Sequence, residues 1–177
     1  SQVWKYREDI RKMHKLQEQY LFLARHNIHS AEELVGTIAS LTDKKKETSA
    51  EKSRIYKARE RSRELFTAAD EMENLKPAEQ SYRLGDTFFE DEHRKWVALE
   101  QELQAQGYAL EEVQALRRHY KEEYSEVCAK EKVVFRELNT GKAILNSMIP
   151  DSISDGRKTE YNREIIRDRK EQPVMRR

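Results

Sequence analysis

The chain holds one cysteine, three prolines and five glycines in 177 residues, and each shortage excludes something. A lone Cys128 cannot close an internal disulfide and fits a reducing compartment, so a cytoplasmic location is expected. With so few glycines and prolines there are few turns, and long elements follow. No apolar run approaches the roughly 20 residues of a membrane span, and no secretory signal precedes the first charged residues, so no membrane partner is expected. A glycine-rich phosphate cradle and a nucleophile elbow are both missing. The first residues already lie inside a helical pattern without an initiator methionine, which reads as a fragment of something longer.

What is present is charge. Charged residues make up 38% of the chain and the mean hydropathy is −1.02, well above the roughly 25% charge of an ordinary domain. Long amphipathic helices with narrow buried stripes fit this better than a wide core, because most of each helix then faces water. The net charge of +1 names no polyanionic partner, but its distribution is uneven. Acids outnumber bases from Asp70 to Glu102, whereas Lys44–Arg63 and Arg157–Arg177 are net basic. Solvated helix faces account for such segregation, and so would the orientation of partners.

The periodicity predicts the elements. Val3, Tyr6, Ile10, Met13, Leu16, Tyr20 and Leu23 recur every three or four residues, giving a first helix to about Arg25. Trp4, Leu21 and Phe22 widen its apolar face, so packing against more than one neighbour is expected. Asn27 tolerates a left-handed cap and ends it. Ser30 and Glu33 form a capping box opening the next helix, whose stripe is Leu34, Ile38 and Leu41. From Thr42 to Arg54 the stripe fades. A solvated stretch of one long helix and a loop are the two readings; the helix is expected, since Asp43, Glu47 and Glu51 sit four apart among lysines. Ile55, Tyr56, Leu65, Phe66, Ala69 and Met72 resume the stripe, and Pro77 should stop or bend the helix near Leu75–Lys76.

Leu84–Met148 reads as a helical hairpin with its turn at Gln106–Gly107. Val113, Tyr120, Val127, Val134 and Met148 fall on one heptad row of the return arm, with Tyr124, Leu138 and Leu145 on the second. Arg117 and Glu131 interrupt this seam. Phe89, Trp96, Leu99 and Leu103 answer from the outgoing arm. Ile28–Leu34 faintly echoes Tyr108–Val113. The expected fold is all-α and elongated, with two consecutive antiparallel helical hairpins over 1–149 (1–76, then 78–149). A loop and basic, partly mobile tail follow over 150–177, with a short helix through Tyr161, Ile165 and Ile166. An unbroken arm of 40 residues would reach on the order of 60 Å.

Site chemistry is sparse. His26 and His29 lack a third ligand and read as a surface turn; Cys128 beside Val127 reads as a small buried hydrophobe. Carboxylates stand at helical spacing beside Lys and Arg, as solvated ion pairs do, so neither catalysis nor a cofactor or metal is expected. The remaining candidates are phosphate contacts from Lys44, Lys45, Lys46, Lys52, Arg54, Lys57, Arg59, Arg61 and Arg63, which are not confined to one face and have no stacking aromatics among them. The tail bases Arg157, Lys158, Arg163, Arg167, Arg169, Lys170, Arg176 and Arg177 make a similar case.

Several anchors resemble a known family. Glu73-Asn-Leu-Lys-Pro-Ala-Glu-Gln-Ser-Tyr82, Phe88-Phe-Glu-Asp-Glu-His-Arg-Lys-Trp96 and Tyr120-Lys-Glu-Glu-Tyr124, with the turn into Ser30–Leu34, look like the helical region downstream of the nuclease in relaxases, the mobilisation proteins of conjugative elements of Gram-positive gut bacteria. The resemblance spans about residues 10–148. It implies a parent protein that nicks a transfer origin through a tyrosine aided by a histidine-bound metal, but none of that nuclease lies here and no catalytic residue carries over. What it implies for this chain is a non-catalytic accessory domain. Its expected partners are DNA near a transfer origin, coupling or accessory transfer proteins, and a second copy of itself. The competing expectation is a structural coiled-coil scaffold or dimerisation module with no nucleic-acid role.

Overall fold

The structure is a computed structural model that describes residues 2–149 together with Arg163, Glu164 and Arg167, and the side chains of residues 2, 3 and 5 are not among those described. The expected loop at Asp151–Gly156 and the expected helix and mobile tail beyond it lie outside the described residues, apart from Arg163, Glu164 and Arg167, which are helical. Within residues 2–149 five α-helices follow in order: α1 (Gln2–Arg25), α2 (Ala31–Arg61), α3 (Arg63–Arg83), α4 (Glu90–Ala105) and α5 (Leu110–Ser147), with a 3₁₀ turn at Thr87–Phe89 before α4. The fold is all-α, and among the described residues there is no strand.

Three helices end in the same way. Among the described residues, those with φ between about +50° and +105° are Asn27 (51°), Gly85 (102°) and Gly107 (85°). After α1, Ile28 N donates to Leu23 O and Asn27 N to Ala24 O; after α3, Asp86 N donates to Ser81 O and Gly85 N to Tyr82 O; after α4, Tyr108 N donates to Leu103 O and Gly107 N to Gln104 O. Each is the paired hydrogen bonding of a Schellman cap, which satisfies carbonyls the helix would otherwise leave open. The next helix starts at once: Ser30 Oγ accepts from Glu33 N at 3.2 Å, and Glu33 Oε2 accepts from His29 N at 2.6 Å. Glu112 Oε2 accepts from Ala109 N at 2.9 Å ahead of α5. The weak internal echo is therefore a repeated stop-and-start device, and it delivers Leu34 and Val113, both fully buried.

Thr42–Arg54 is helical throughout, inside α2. Two departures stand beside that. Pro77 does not end its helix: α3 runs on to Arg83. A proline costs the bond its missing N–H would make, but α3 remains packed on α4 and on the 3₁₀ turn, so tertiary contact carries it to the Gly85 cap. The break that does occur between α2 and α3 is at Ser62, with φ −93° and ψ 7°. There Ser62 N donates to Arg59 O, three residues back, and its hydroxyl donates to Ala58 O. A serine whose side chain competes for helix carbonyls is a mild breaker.

The described chain divides into two compact units, one with residues up to Ser49 and from Ala129 onward, the other Ala50–Cys128. This division does not follow the two hairpins, because α2 and α5 each contribute to both units. In the first unit Phe22 and Ile28 meet Leu34, Val35, Ile38 and Leu41 of α2 and Leu138, Ile144 and Leu145 of α5. Gly141 lets them close: a Cβ there would lie 3.0 Å from Phe22 Cζ and 3.1 Å from Ile38 Cγ1. Arg25 and His26 donate to Glu137 at 2.5 and 2.9 Å. In the second unit Leu65, Phe66, Ala68, Ala69 and Met72 of α3 pack on Trp96 and Leu103 of α4 and Val113 of α5.

The α5 seam is buried at Val113, Val127, Leu138 and Leu145, while Met148 at its end is half exposed. The α1 stripe departs further from expectation. Tyr6, Ile10, Met13, Leu16 and Tyr20 are each more than half exposed, and only Phe22 at the helix end is fully buried. Among the described residues no neighbour covers the stripe.

Candidate functional site

The second unit carries a polar groove of about 680 Å³ between the α2–α3 junction and α5. Arg59 and Arg63 enter it four residues apart across the Ser62 break, and Arg117 and Lys121 enter four apart from α5. Tyr56, half exposed, stands one turn before Arg59, and Phe66 forms part of the floor. Glu60 and Asp70 are the acids on the wall.

Arg117 is the organising side chain. Its guanidinium donates to both carboxylate oxygens of Asp70, at 2.6 and 3.0 Å, and to Phe66 O at 3.0 Å. It also lies 5.0 Å from the centre of the Phe66 ring, a favourable cation–π placement. The hydrogen bond from Arg117 holds the Asp70 carboxyl below its usual range, and the same bond raises Arg117. The expected seam defect is thus a fork clamping α5 to α3, the geometry that suits arginine and not lysine. With Asp70 taken by Arg117, and Arg63 only loosely approached by Glu60 at 4.0 Å, the positive charge left facing the opening is that of Arg59, Arg63 and Lys121. An anion with several oxygens, presented along a groove of this length, is the ligand such a set can hold.

The other candidate bases are not gathered there. Lys44, Lys45 and Lys46 belong to the first unit, where Lys45 Nζ lies 5.0 Å from the centre of the Phe135 ring. Lys52 Nζ lies 5.9 Å from the Tyr124 ring centre. Arg54, Lys57 and Arg61 are exposed along α2 outside the groove lining. The basic run is therefore split, and only its end, Arg59 and Arg63, is joined by bases from elsewhere. Arg117 and Lys121 were not singled out as phosphate contacts from the sequence, and Tyr56, which lies inside the basic run and lines the groove, corrects the expectation that the run holds no stacking aromatic. The signal for Arg117 and Lys121 was the paired four-residue spacing, Arg59/Arg63 with Arg117/Lys121, visible only once the two helices are known to be neighbours.

The remaining titratable clusters are ties between helices. Glu79 is 2% exposed; it accepts from Arg83 Nε at 2.8 Å and from His93 Nδ1 at 2.7 Å, and the His93 ring stacks on Tyr82 at 4.1 Å. Burial opposes its charge, and the bonds from His93 and Arg83 outweigh burial, so its carboxyl sits below the ordinary value. His26 is engaged by Glu137, and His29 Nε2 donates to Asn27 Oδ1 at 2.7 Å. Among the described residues no three His, Cys, Asp or Glu side chains group as metal ligands do, and no helix is long and apolar enough to cross a membrane.

No family model, curated protein or solved structure matches this chain.

Proposed function

We propose that this chain is a non-catalytic interaction domain that holds nucleic acid by its phosphate backbone in the groove of the second unit, as the accessory region of a mobilisation relaxase would do next to its transfer origin in the cytoplasm. One observation carries the reading: Arg59, Arg63 and Lys121 face one opening beside the exposed ring of Tyr56, while of the two acids on its wall Asp70 is already committed to Arg117 and Glu60 approaches Arg63 only at 4.0 Å. Phosphates give affinity without sequence information, and an exposed aromatic beside them suits an unstacked base. The groove is open and walled by helix faces, which suits gripping a long ligand.

Fluorescence anisotropy with labelled single- and double-stranded 20-mers tests this. Binding should weaken steeply with salt; three phosphate contacts give a slope near −3 on double logarithmic axes for duplex and about −2 for single strands. Arg59→Gln, Arg63→Gln and Lys121→Gln together should lower affinity at least about tenfold at 100 mM salt, each lost contact costing several-fold. Lys44→Gln with Lys46→Gln should change it little. All five side chains lie on the surface, so folding is not at stake. Equal binding by the groove variant would remove the groove, and no binding by the unaltered protein would remove the nucleic-acid role in favour of a purely structural helical scaffold.

A further inference from the structure

We propose that α1 pairs with α1 of a second copy as a short parallel two-stranded coiled coil, through the apolar stripe that the described residues leave open. The inference is independent of the groove. Tyr6, Ile10, Met13 and Tyr20 are 68%, 52%, 69% and 70% exposed, and they stand three, four and seven residues apart. In heptad terms Tyr6, Met13 and Tyr20 are d positions, and Ile10 and Gln17 are a positions. α1 meets its own unit at its C-terminal end, through Phe22 at f, Leu23 at g and Arg25 at b, with His26 just beyond at c. Docking onto the first unit therefore takes none of the a and d positions from Tyr6 to Tyr20, and both can be satisfied together.

The flanks say which occupant fits. In a parallel pair each g residue meets the e residue of the next heptad across the seam. Here that brings Asp9 against His14 of the second copy and Leu16 against Leu21, each twice by symmetry. Neither pairing sets like charges together. Gln17 meets its own equivalent at an a position, where two amides can bond to each other and fix the register, as single polar a residues do. An antiparallel pair would instead face the row Arg7, His14, Leu21 with itself and Asp9 with its own row. The lysines and arginines that would repel a second copy, Lys12, Lys15 and Arg11, lie at c, f and b, away from the seam. The stripe Tyr6–Tyr20 runs just over two heptads, on the order of 20 Å, so the pairing is weak alone and its test is run at high concentration.

Sedimentation equilibrium of the full chain at 100 μM should return twice the 21.1 kDa of one chain. Ile10→Glu with Met13→Glu should return a monomer with unchanged helicity, since both side chains stand in solvent in the single chain. For orientation, Gln17→Cys in a Cys128→Ser background should form a disulfide-linked dimer on mild oxidation, because only parallel, in-register helices bring the two positions together. A monomeric unaltered protein, a double variant that still dimerises, or a dimer that does not link through position 17 would each overturn the proposal. None of these outcomes depends on nucleic-acid binding.

Discussion

The two units solve the same packing problem with opposite polar economies. Each sets helices around a small core entered through a Schellman cap and a fresh helix start, at Asn27 in one and at Gly107 in the other. The first unit is aliphatic around a single buried ring, Phe22, closes over the bare backbone of Gly141, and keeps its ion pair partly in solvent, with the Arg25 side chain 55% exposed against Glu137 at 18%. The second unit is richer in aromatics, with Phe66, Trp96 and Tyr120, and it buries the Glu79 carboxylate between α3 and α4. The lesson is that equal secondary structure does not mean equal dependence on charge. Close apolar contact secures one unit, and a buried charge that must stay partnered secures the other.

The sharpest way to break the comparison is to empty each core. Phe22→Ala should cost about 3–5 kcal/mol and Met72→Ala about 2–5 kcal/mol, because both side chains are fully buried. Hydrogen exchange should show the loss first in the unit that carries the change. Equal loss of protection in both units would mean that they unfold as one.

Next comes the charge. Glu79→Ala removes the shared acceptor of His93 and Arg83 and leaves a buried gap; because Arg83 is 66% exposed and returns to water, the cost should be about 1–3 kcal/mol, that of a lost buried hydrogen-bond partner. Glu137→Ala, at the rim, should cost about 1 kcal/mol or less. Urea unfolding of the two variants compares them. The pH dependence follows from the sign of the shift. Glu79 is held below its ordinary value of 4.5, so the unfolded chain takes up the proton more readily than the folded one. Its stabilisation is therefore present above pH 4.5 and is lost as the pH falls through the folded value. Acid should loosen the second unit through this group, and Glu79→Gln should flatten that part of the profile. An unchanged acid limb in the variant would mean that the buried carboxylate is not what the unit leans on.

The smallest effects are at the caps. Gly107→Ala should cost about 1 kcal/mol, since a Cβ is disfavoured at positive φ, whereas Asn27→Gly should shift stability by a few tenths of a kcal/mol, because both residues accept that conformation. Thermal midpoints should move accordingly. A larger loss from Asn27→Gly would point to the Asn27–His29 hydrogen bond as an added tie.

Much of the fold was legible because it is locally encoded. The capping box at Ser30, the stops at Asn27 and Gly107 and the continuous helix through Thr42–Arg54 all follow from residues within five positions of one another. The Leu34, Ile38, Leu41 stripe is buried as its spacing implied. The candidate site was legible only in part. Arg59 and Arg63 stood among nine bases with nothing to distinguish them, because what distinguishes them is the pair Arg117 and Lys121 far along the chain.

By itself, then, the sequence determined that this protein is helical and where most of its helices begin and end, since caps and backbone hydrogen bonds span at most a turn or so. Tertiary structure alone decided that α3 passes through Pro77, that Glu79 is buried, and that Arg117 clamps Asp70 across 47 positions instead of flawing a seam. It also decided that the described residues leave the apolar stripe of α1 bare. Helical periodicity states that a face must be covered; which surface covers it depends on the directions in which separate helices leave their turns, and that is a property of the packed whole.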